Sequence, residues 1–153
     1  MNVKGVKVKN IRKATIDDLA RVAEIVIFNY RVNFYPIFKN DDYYFGELQV
    51  PALMEQYKSI VDDMWVYDDG VIKGVVQIEG REIKRLFVEP VLHGHGIGSD
   101  LLTFAIESYG ANTLWALEKN TRAIRFYERH GFTVTEDRKL EEDTEEYLVR
   151  LER

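Results

Sequence analysis

Three glycines at alternate positions mark the segment of this chain best suited to holding a phosphate group. Gly94, Gly96 and Gly98 follow an apolar stretch that ends at Val88, and an amphipathic pattern begins near Ile97. Glycine lets successive backbone N–H groups face an anion, and the first turn of a helix adds partial positive charge. The segment therefore predicts a strand-to-helix junction that holds a nucleotide-like cofactor, although a tight turn there needs glycine as well.

A second pattern with chemical potential lies further along the chain. Asn120 precedes an amphipathic stretch that contains Phe126 and Tyr127, and Gly131 and Phe132 follow it. Asparagine is a favoured N-cap, and glycine is favoured just beyond a helix C-terminus, so the stretch predicts a capped helix. A tyrosine on such a helix belongs most often to the core, but its phenol can also donate a proton.

Together the two patterns resemble the GNAT family of acyl-CoA N-acyltransferases. The family's phosphate loop reads Arg/Gln-x-x-Gly-x-Gly/Ala, which falls on His93, Gly96 and Gly98. Its later helix reads Asn-x-x-Ala-x-x-Phe-Tyr-x-x-x-Gly-Phe, and every fixed position is present here. His93 stands where the family has Arg or Gln, so the loop backbone rather than this side chain is expected to hold the phosphates. The resemblance covers most of the chain except residues 28–59.

The resemblance implies acetyl-CoA as the acyl donor and assigns residues to its parts. The pyrophosphate would lie on the glycine loop, and the pantetheine arm would run beside strand four like an added strand. In this family strands four and five splay apart, and the opening admits that arm. The implied cofactor-binding residues are Leu86, Phe87, Val88, His93, Gly94, His95, Gly96, Ile97, Gly98, Ser99, Asn120 and Phe126.

The resemblance also implies a base for the attacking amine. Acyl transfer needs a neutral nucleophile, whereas a lysine-type amine has a pKa of about 10.4 in water, so the amine must lose a proton. Glu82 on strand four matches the family's acidic position, with Glu79, Glu118 and water as alternatives. Lys84 is predicted to share the period-two face of Glu82, and a nearby cation would weaken that base by lowering its pKa.

The family's usual acid falls on Tyr127. It would protonate the departing thiolate, while a backbone N–H near Phe87 or Val88 would stabilise the negative charge on the carbonyl oxygen. A tyrosine with a pKa of about 10 gives its proton uphill to a thiolate near 8.5, so part of its contribution would be hydrogen bonding.

Aromatic residues are concentrated between residues 28 and 45. These rings either seal the first helix against the sheet or form the wall of a pocket. In the GNAT family the corresponding segment borders the acceptor site, which implies Tyr30, Phe34 and Tyr35 as acceptor-binding residues. The acceptor is expected to be a small-molecule or peptide amine, and its identity stays open.

The remaining periodicity predicts an α/β (α+β) fold. We expect a mixed, mostly antiparallel sheet of six to seven strands flanked by about four helices. A first strand is predicted over 6–14, a helix over 47–60, and a hairpin around Asp69-Gly70. Strand four, over 81–88, should pair in parallel with strand five, over 113–117, across the intervening helix.

Composition narrows the class of protein. A net charge of −5 disfavours nucleic-acid binding and modestly favours cationic substrates. The chain has no cysteine, and its three histidines lack partners at ligand spacing, so no metal site is predicted. Without a long apolar run, residues 1–153 are expected to form a single cytoplasmic domain that does not bind membranes. A homodimer stays open.

Two other functions compete with amine acetylation by direct attack in a ternary complex. A dinucleotide-binding domain needs a third glycine where Ser99 or Leu101 stands, and strands predicted to be antiparallel precede the loop. A noncatalytic acyl-CoA-binding sensor on the same fold is the closer alternative, because a cofactor motif does not prove turnover.

Overall fold

The sheet has the predicted mixed character. A computed structural model describes residues 9–153, so the first part of the predicted strand over 6–14 lies outside the described residues. Within them, seven strands form one sheet in the order β1-β2-β3-β4-β5-β7-β6, and β4 and β5 are its parallel pair. The strands are β1 Ile11–Lys13, β2 Met64–Asp68, β3 Ile72–Glu79, β4 Glu82–Val88, β5 Thr113–Leu117, β6 Thr133–Leu140 and β7 Tyr147–Glu152.

Five α-helices flank the sheet over residues 9–153, one more than predicted. They are α1 Leu19–Asn29, α2 Tyr35–Phe38, α3 Val50–Tyr57, α4 Ile97–Tyr109 and α5 Thr121–Arg129. The predicted helix over 47–60 is shorter as α3, because Gln49 has extended backbone angles and the chain tightens into a 3₁₀ helix from Lys58. None of these helices combines the length and hydropathy needed to cross a bilayer.

The core lies in two layers, one on each face of the sheet. Val76 and Leu101 belong to the layer that packs under α4, whereas Val75 and Val26 belong to the layer under α1 and α3. Neighbouring residues of β3 enter opposite layers because side chains alternate along a strand. β3 is therefore buried on both faces, which explains its nearly continuous apolar sequence.

The aromatic segment forms an irregular connection rather than ordinary helix. Two π-helical stretches, Tyr30–Phe34 and Asp42–Glu47, lie on either side of α2. Pro36 lies at the start of α2 and has no N–H to close a regular turn onto the preceding stretch. π-helical turns widen a helix and are frequent at functional sites. Here they connect the end of α1 to α3.

Candidate functional site

β4 and β5 form a fork whose open end is a groove. The strands pair only at Glu82 with Thr113 and at Ile83 with Leu114, so the predicted splay is confirmed. The groove has a volume of about 360 Å³. It is bordered by the end of α1, the end of β4, the glycine loop and α5. It is lined by Asn29, Asn33, Phe34, Leu86, Phe87, Val88, Leu92, His93, Gly94, Gly96, Ile97, Gly98, Ser99, Asn120, Arg122, Ala123, Phe126, Tyr127 and Arg129.

The glycine loop turns the N-terminus of α4 towards this groove. Gly94 and Gly96 both have a φ of 85°, a left-handed conformation that side chains with a Cβ rarely adopt. Gly96 is the N-cap of α4, and Ile97, Gly98 and Ser99, whose N–H groups have no partner within the helix, line the groove. These groups, together with the positive end of the helix dipole, fit a phosphate.

Two side chains hydrogen-bond the carbonyl oxygen of Val88 in place of a backbone group of β5. Asn29 Nδ2 donates to this oxygen at 2.8 Å, and His93 Nε2 donates to it at 2.9 Å. Asn29 is only 2% exposed and also donates to the carbonyl of Ile25 at 2.8 Å. The end of β4 therefore stays apart from β5 without leaving that buried oxygen unpaired. Our sequence interpretation missed Asn29, whose one signal is a polar residue among the apolar positions of α1.

Replacement of Asn29 should loosen this end of β4. We expect Asn29→Leu to lower the free energy of unfolding by about 1–3 kcal/mol, because Val88 loses one of its two side-chain donors in a buried place. Urea denaturation measures the change. Asn33→Leu is the matched control, since Asn33 is only half-buried and reaches Asn29 Oδ1 at 3.4 Å. Equal effects of the two substitutions would contradict this role of Asn29.

The backbone of β4 points alternate groups into the fork. Glu89 N donates to Lys73 O at 2.9 Å, so the N–H and C=O groups of Phe87 and Glu89 face β3. Those of Leu86 and Val88 therefore face the opening. Of the two backbone N–H groups that were predicted as oxyanion donors, only that of Val88 faces the opening, and the backbone groups of Leu86 lie next to it.

Tyr127 brings a protonated phenol to the same groove. Its ring packs edge-on against Phe126 and Phe132, with centroid distances of 5.3 Å and 5.8 Å. The residue is 8% exposed, and this burial raises the pKa of the phenol above its ordinary value. Its hydroxyl donates no hydrogen bond to a side chain or backbone group of residues 9–153. Because no deeply buried polar side-chain atom of these residues is unpaired, the hydroxyl is not sealed in the core. Solvent or a ligand therefore reaches it from the groove.

Comparison with known proteins shows which family this arrangement resembles. Residues 61–134, which include the fork, the glycine loop and α5, match the family model described as an acetyltransferase (GNAT) domain. This segment of the chain is similar to GNAT acetyltransferases. The predicted resemblance is therefore confirmed.

Individual relatives agree with this assignment. Peptidyl-lysine N-acetyltransferase YiaC of Escherichia coli is 32% identical over 89 residues, which are 57% of this chain and 60% of that protein. The solution structure of apo-form YjaB from Escherichia coli matches with a TM-score of 0.71 and 22% identity, over 93% of this chain and 95% of that chain. PaiA N-acetyltransferase from Thermoplasma acidophilum in complex with coenzyme A gives a TM-score of 0.67 and 20% identity, over 94% and 98%. The last two likenesses show the GNAT fold.

Most of the cofactor-binding residues that the GNAT resemblance implies are brought together. All of them except His95 line the groove. His95 is exposed, and its Nδ1 lies 2.9 Å from the carbonyl oxygen of Leu92. The third histidine, His130, joins α5 to α4, with Nε2 3.1 Å from Ser99 Oγ. Each histidine therefore has a bonding partner within the GNAT scaffold.

The structure does not bring the candidate base into the groove. Glu82 lies at the closed end of the fork, about 20 Å along β4 from Val88. Its carboxylate lies 3.4 Å from Lys84 Nζ, an ion pair on the half-exposed surface. Of the alternatives, Glu79 lies 3.9 Å from Lys84, and Glu118 pairs with Arg138 at 3.0 Å. Among residues 9–153, the groove lining contains no Asp or Glu.

The three predicted acceptor-binding residues take different positions. Phe34 lines the groove, and Tyr30 lies behind it, with its ring 4.9 Å from Phe34 and 5.6 Å from Phe87 between centroids. Tyr35 does not line the groove, because its hydroxyl donates to Asp41 in the α2 connection. Of the three, Phe34 alone therefore lines the groove, and Tyr30 supports it from behind.

Proposed function

We propose that this chain is an N-acetyltransferase that moves an acetyl group from acetyl-CoA to a primary amine by direct attack in a ternary complex. The observation that carries the proposal is one groove that contains an open strand edge, a phosphate-suited helix N-terminus and a protonated phenol. The relatives support it, since YiaC is named a peptidyl-lysine N-acetyltransferase and the PaiA structure contains coenzyme A. The match covers 60% of YiaC, so the activity of the whole chain is part of the proposal.

The groove offers different partners to the two ends of acetyl-CoA. The loop from Gly94 to Ser99 would hold the pyrophosphate through backbone N–H groups, and Arg122 and Arg129 at the groove would attract the phosphates. The free backbone groups of Leu86 would hydrogen-bond the pantetheine amides, as a neighbouring strand does, while the Val88 carbonyl stays bonded to Asn29 and His93. Acetyl-CoA supplies the activated acetyl group.

Three events follow from this seating of the donor. The Val88 N–H stabilises the negative charge that develops on the carbonyl oxygen when the amine attacks. Tyr127 donates its proton to the departing sulfur, because burial keeps the phenol protonated. The amine loses its proton to water, since the groove contains no carboxylate and Glu82 is too distant to receive that proton directly. The products are an N-acetyl amine and CoA.

Thermal unfolding with added ligands tests the cofactor assignment. A ligand that binds only the folded state raises the Tm. At a ligand concentration of a hundred times its Kd, it adds about 2.7 kcal/mol to the free energy of unfolding. We expect CoA and acetyl-CoA to raise the Tm in proportion to the logarithm of their concentration, and NAD to leave it unchanged. A response to NAD alone, or no response to CoA, would contradict the proposal.

A further inference from the structure

Arg85 is a half-buried cation that no carboxylate of the protein neutralises. Its Nε donates to the Tyr57 hydroxyl at 3.1 Å, its Nη1 donates to Gln77 Oε1, and its guanidinium lies 5.1 Å from the centre of the Tyr57 ring. None of the ion pairs within residues 9–153 includes Arg85. Residues 1–8 contain no acidic residue. The charge of Arg85 is therefore available to an anion from outside the chain.

The neighbours of Arg85 hold its guanidinium in a fixed place. Tyr57 is fully buried and Gln77 is 3% exposed, so neither side chain can move away easily. The Tyr30 phenol also lies beside the guanidinium, and no deeply buried polar side-chain atom of residues 9–153 is unpaired. Arg85 is only half-buried, so part of its side chain faces solvent. An arginine held in this way offers N–H groups whose planar geometry matches a carboxylate.

Arg85 also lies close to the reacting end of the groove. Arg85 and Phe87 both contact the aromatic cluster beneath α1 and α3, which places the two side chains on the same face of β4. They are two residues apart, about 7 Å along the strand. Tyr30 connects them, because its ring packs on Phe87 and its phenol lies in the field of Arg85. The guanidinium therefore lies on the face of β4 from which Phe87 lines the groove.

The charges in this region select against a simple alkylamine. The groove lining contains cations but no Asp or Glu among the described residues, so a bare ammonium ion finds no opposite charge there. A half-buried cation such as Arg85 gains from pairing with an anion, because burial removes part of its hydration. An amine that carries its own carboxylate satisfies both requirements.

We propose that Arg85 binds a carboxylate of the acceptor, and that the acceptor is a small amino-acid-like molecule with its amine a few bonds from that carboxylate. The inference rests on the proposed acetyl transfer and specifies its substrate class. An internal lysine of a peptide carries no carboxylate near its amine and is the class that this arrangement disfavours.

Matched acceptor pairs test the inference in the complete protein. Each free amino acid is compared with its amide, which keeps the amine and removes the carboxylate, and release of CoA from acetyl-CoA is measured. The amine of the amide has a lower pKa than the amine of the free acid, so the amide loses its proton more easily. If the enzyme still prefers the acid, the preference has to come from the carboxylate. We expect at least one acid to exceed its amide tenfold or more in kcat/KM.

Two substitutions locate that preference. Arg85→Gln should lower kcat/KM for the preferred acid tenfold or more, leave its amide almost unchanged and leave the KM for acetyl-CoA unaltered. Lys84→Gln removes an exposed neighbouring charge and should leave the preference intact. Arg85→Lys, which keeps the charge but loses the planar fork, should fall between wild type and Arg85→Gln. If Arg85→Gln does not fold, Arg85→Lys and the wild-type acid-to-amide ratio decide.

Other results would overturn the inference. It fails if wild type uses amides or lysine peptides as well as acids, or if CoA binds but no amino acid is acetylated. It also fails if Arg85→Gln lowers kcat/KM for acid and amide alike. The proposed acetyl transfer fails separately, if CoA does not bind or if no amine of any class is acetylated. The two failures are therefore distinguishable.

Discussion

Tyr127→Phe is expected to bind acetyl-CoA as tightly as wild type and to turn over about a hundredfold more slowly. The substitution removes the one acid that lines the groove next to the open edge of β4 and keeps the ring that packs on Phe126 and Phe132. General acid catalysis contributes about 10²–10⁴-fold in rate, and the lower value applies when hydrogen bonding supplies part of the effect. Steady-state kcat at saturating acetyl-CoA and acceptor measures the loss.

The pH dependence gives this prediction a second readout. Burial raises the pKa of Tyr127, so the phenol stays protonated to beyond the ordinary tyrosine value of about 10. Activity of wild type should therefore not fall between pH 7 and about 10 through ionisation of Tyr127. Tyr109→Phe is the control, because Tyr109 is 42% exposed and does not line the groove. An unchanged kcat in Tyr127→Phe would remove this residue from the mechanism.

Gly96→Val is expected to weaken CoA binding tenfold or more. Gly96 has a φ of 85°, which a β-branched residue tolerates poorly, so the valine forces the loop to reorganise and turns the first N–H groups of α4 away from the phosphates. A Cβ at Gly96 would meet no atom within 4 Å, so the effect comes from the backbone and not from a clash. Calorimetric titration with CoA measures the affinity, and tenfold corresponds to about 1.4 kcal/mol.

The chain supplies a close control for the loop substitution. Gly80 also has a positive φ, 62°, with no atom within 4 Å of a new Cβ, but it lies in the turn between β3 and β4. Gly80→Val should cost comparable stability and leave CoA affinity unchanged. If both variants bind CoA equally well, the glycine loop does not hold the phosphates.

Local signals in the sequence were sufficient for the parts of the fold that carry the cofactor groove. β5 has the predicted bounds, Thr113–Leu117, and Asn120 caps α5 with its side chain, which accepts from the backbone of Ala123. Both features depend on nearby residues, so short patterns report them. The splay of β4 from β5 was available only through the family resemblance, because it depends on long-range partners such as Asn29.

The position of Glu82 depends on features of the sheet that counting along a strand does not report. The register of β4 shifts on β3 between Gln77 and Ile78, which pair with Arg85 and Ile83, so Lys84 is an extra residue. Such a bulge breaks the alternation of side chains on which the sequence interpretation relied. The short pairing with β5 then leaves Glu82 at the closed end of the fork. Neither the bulge nor the length of the pairing has a signal in the local sequence.

Net charge was also an incomplete guide to the acceptor. The chain carries −5 overall, which favoured cationic substrates, but the groove is lined by Arg122 and Arg129 and lies beside Arg85. Its acidic residues lie elsewhere, for example in the loop of residues 141–146 between β6 and β7. Local charge at the groove is therefore a separate guide to the acceptor, because net charge describes only the long-range field.

Transfer of a labelled acetyl group is the most direct test of the central claim. The protein is incubated with acetyl-CoA that carries a deuterated acetyl group and with a pool of amino acids, their amides and lysine peptides, and the products are analysed by mass spectrometry. We expect at least one deuterated N-acetyl amine, formed in equal amount with free CoA and greatly reduced in Tyr127→Phe. If acetyl-CoA binds but no member of the pool yields a deuterated N-acetyl amine, the result would contradict acetyl transfer and favour a noncatalytic acyl-CoA-binding protein.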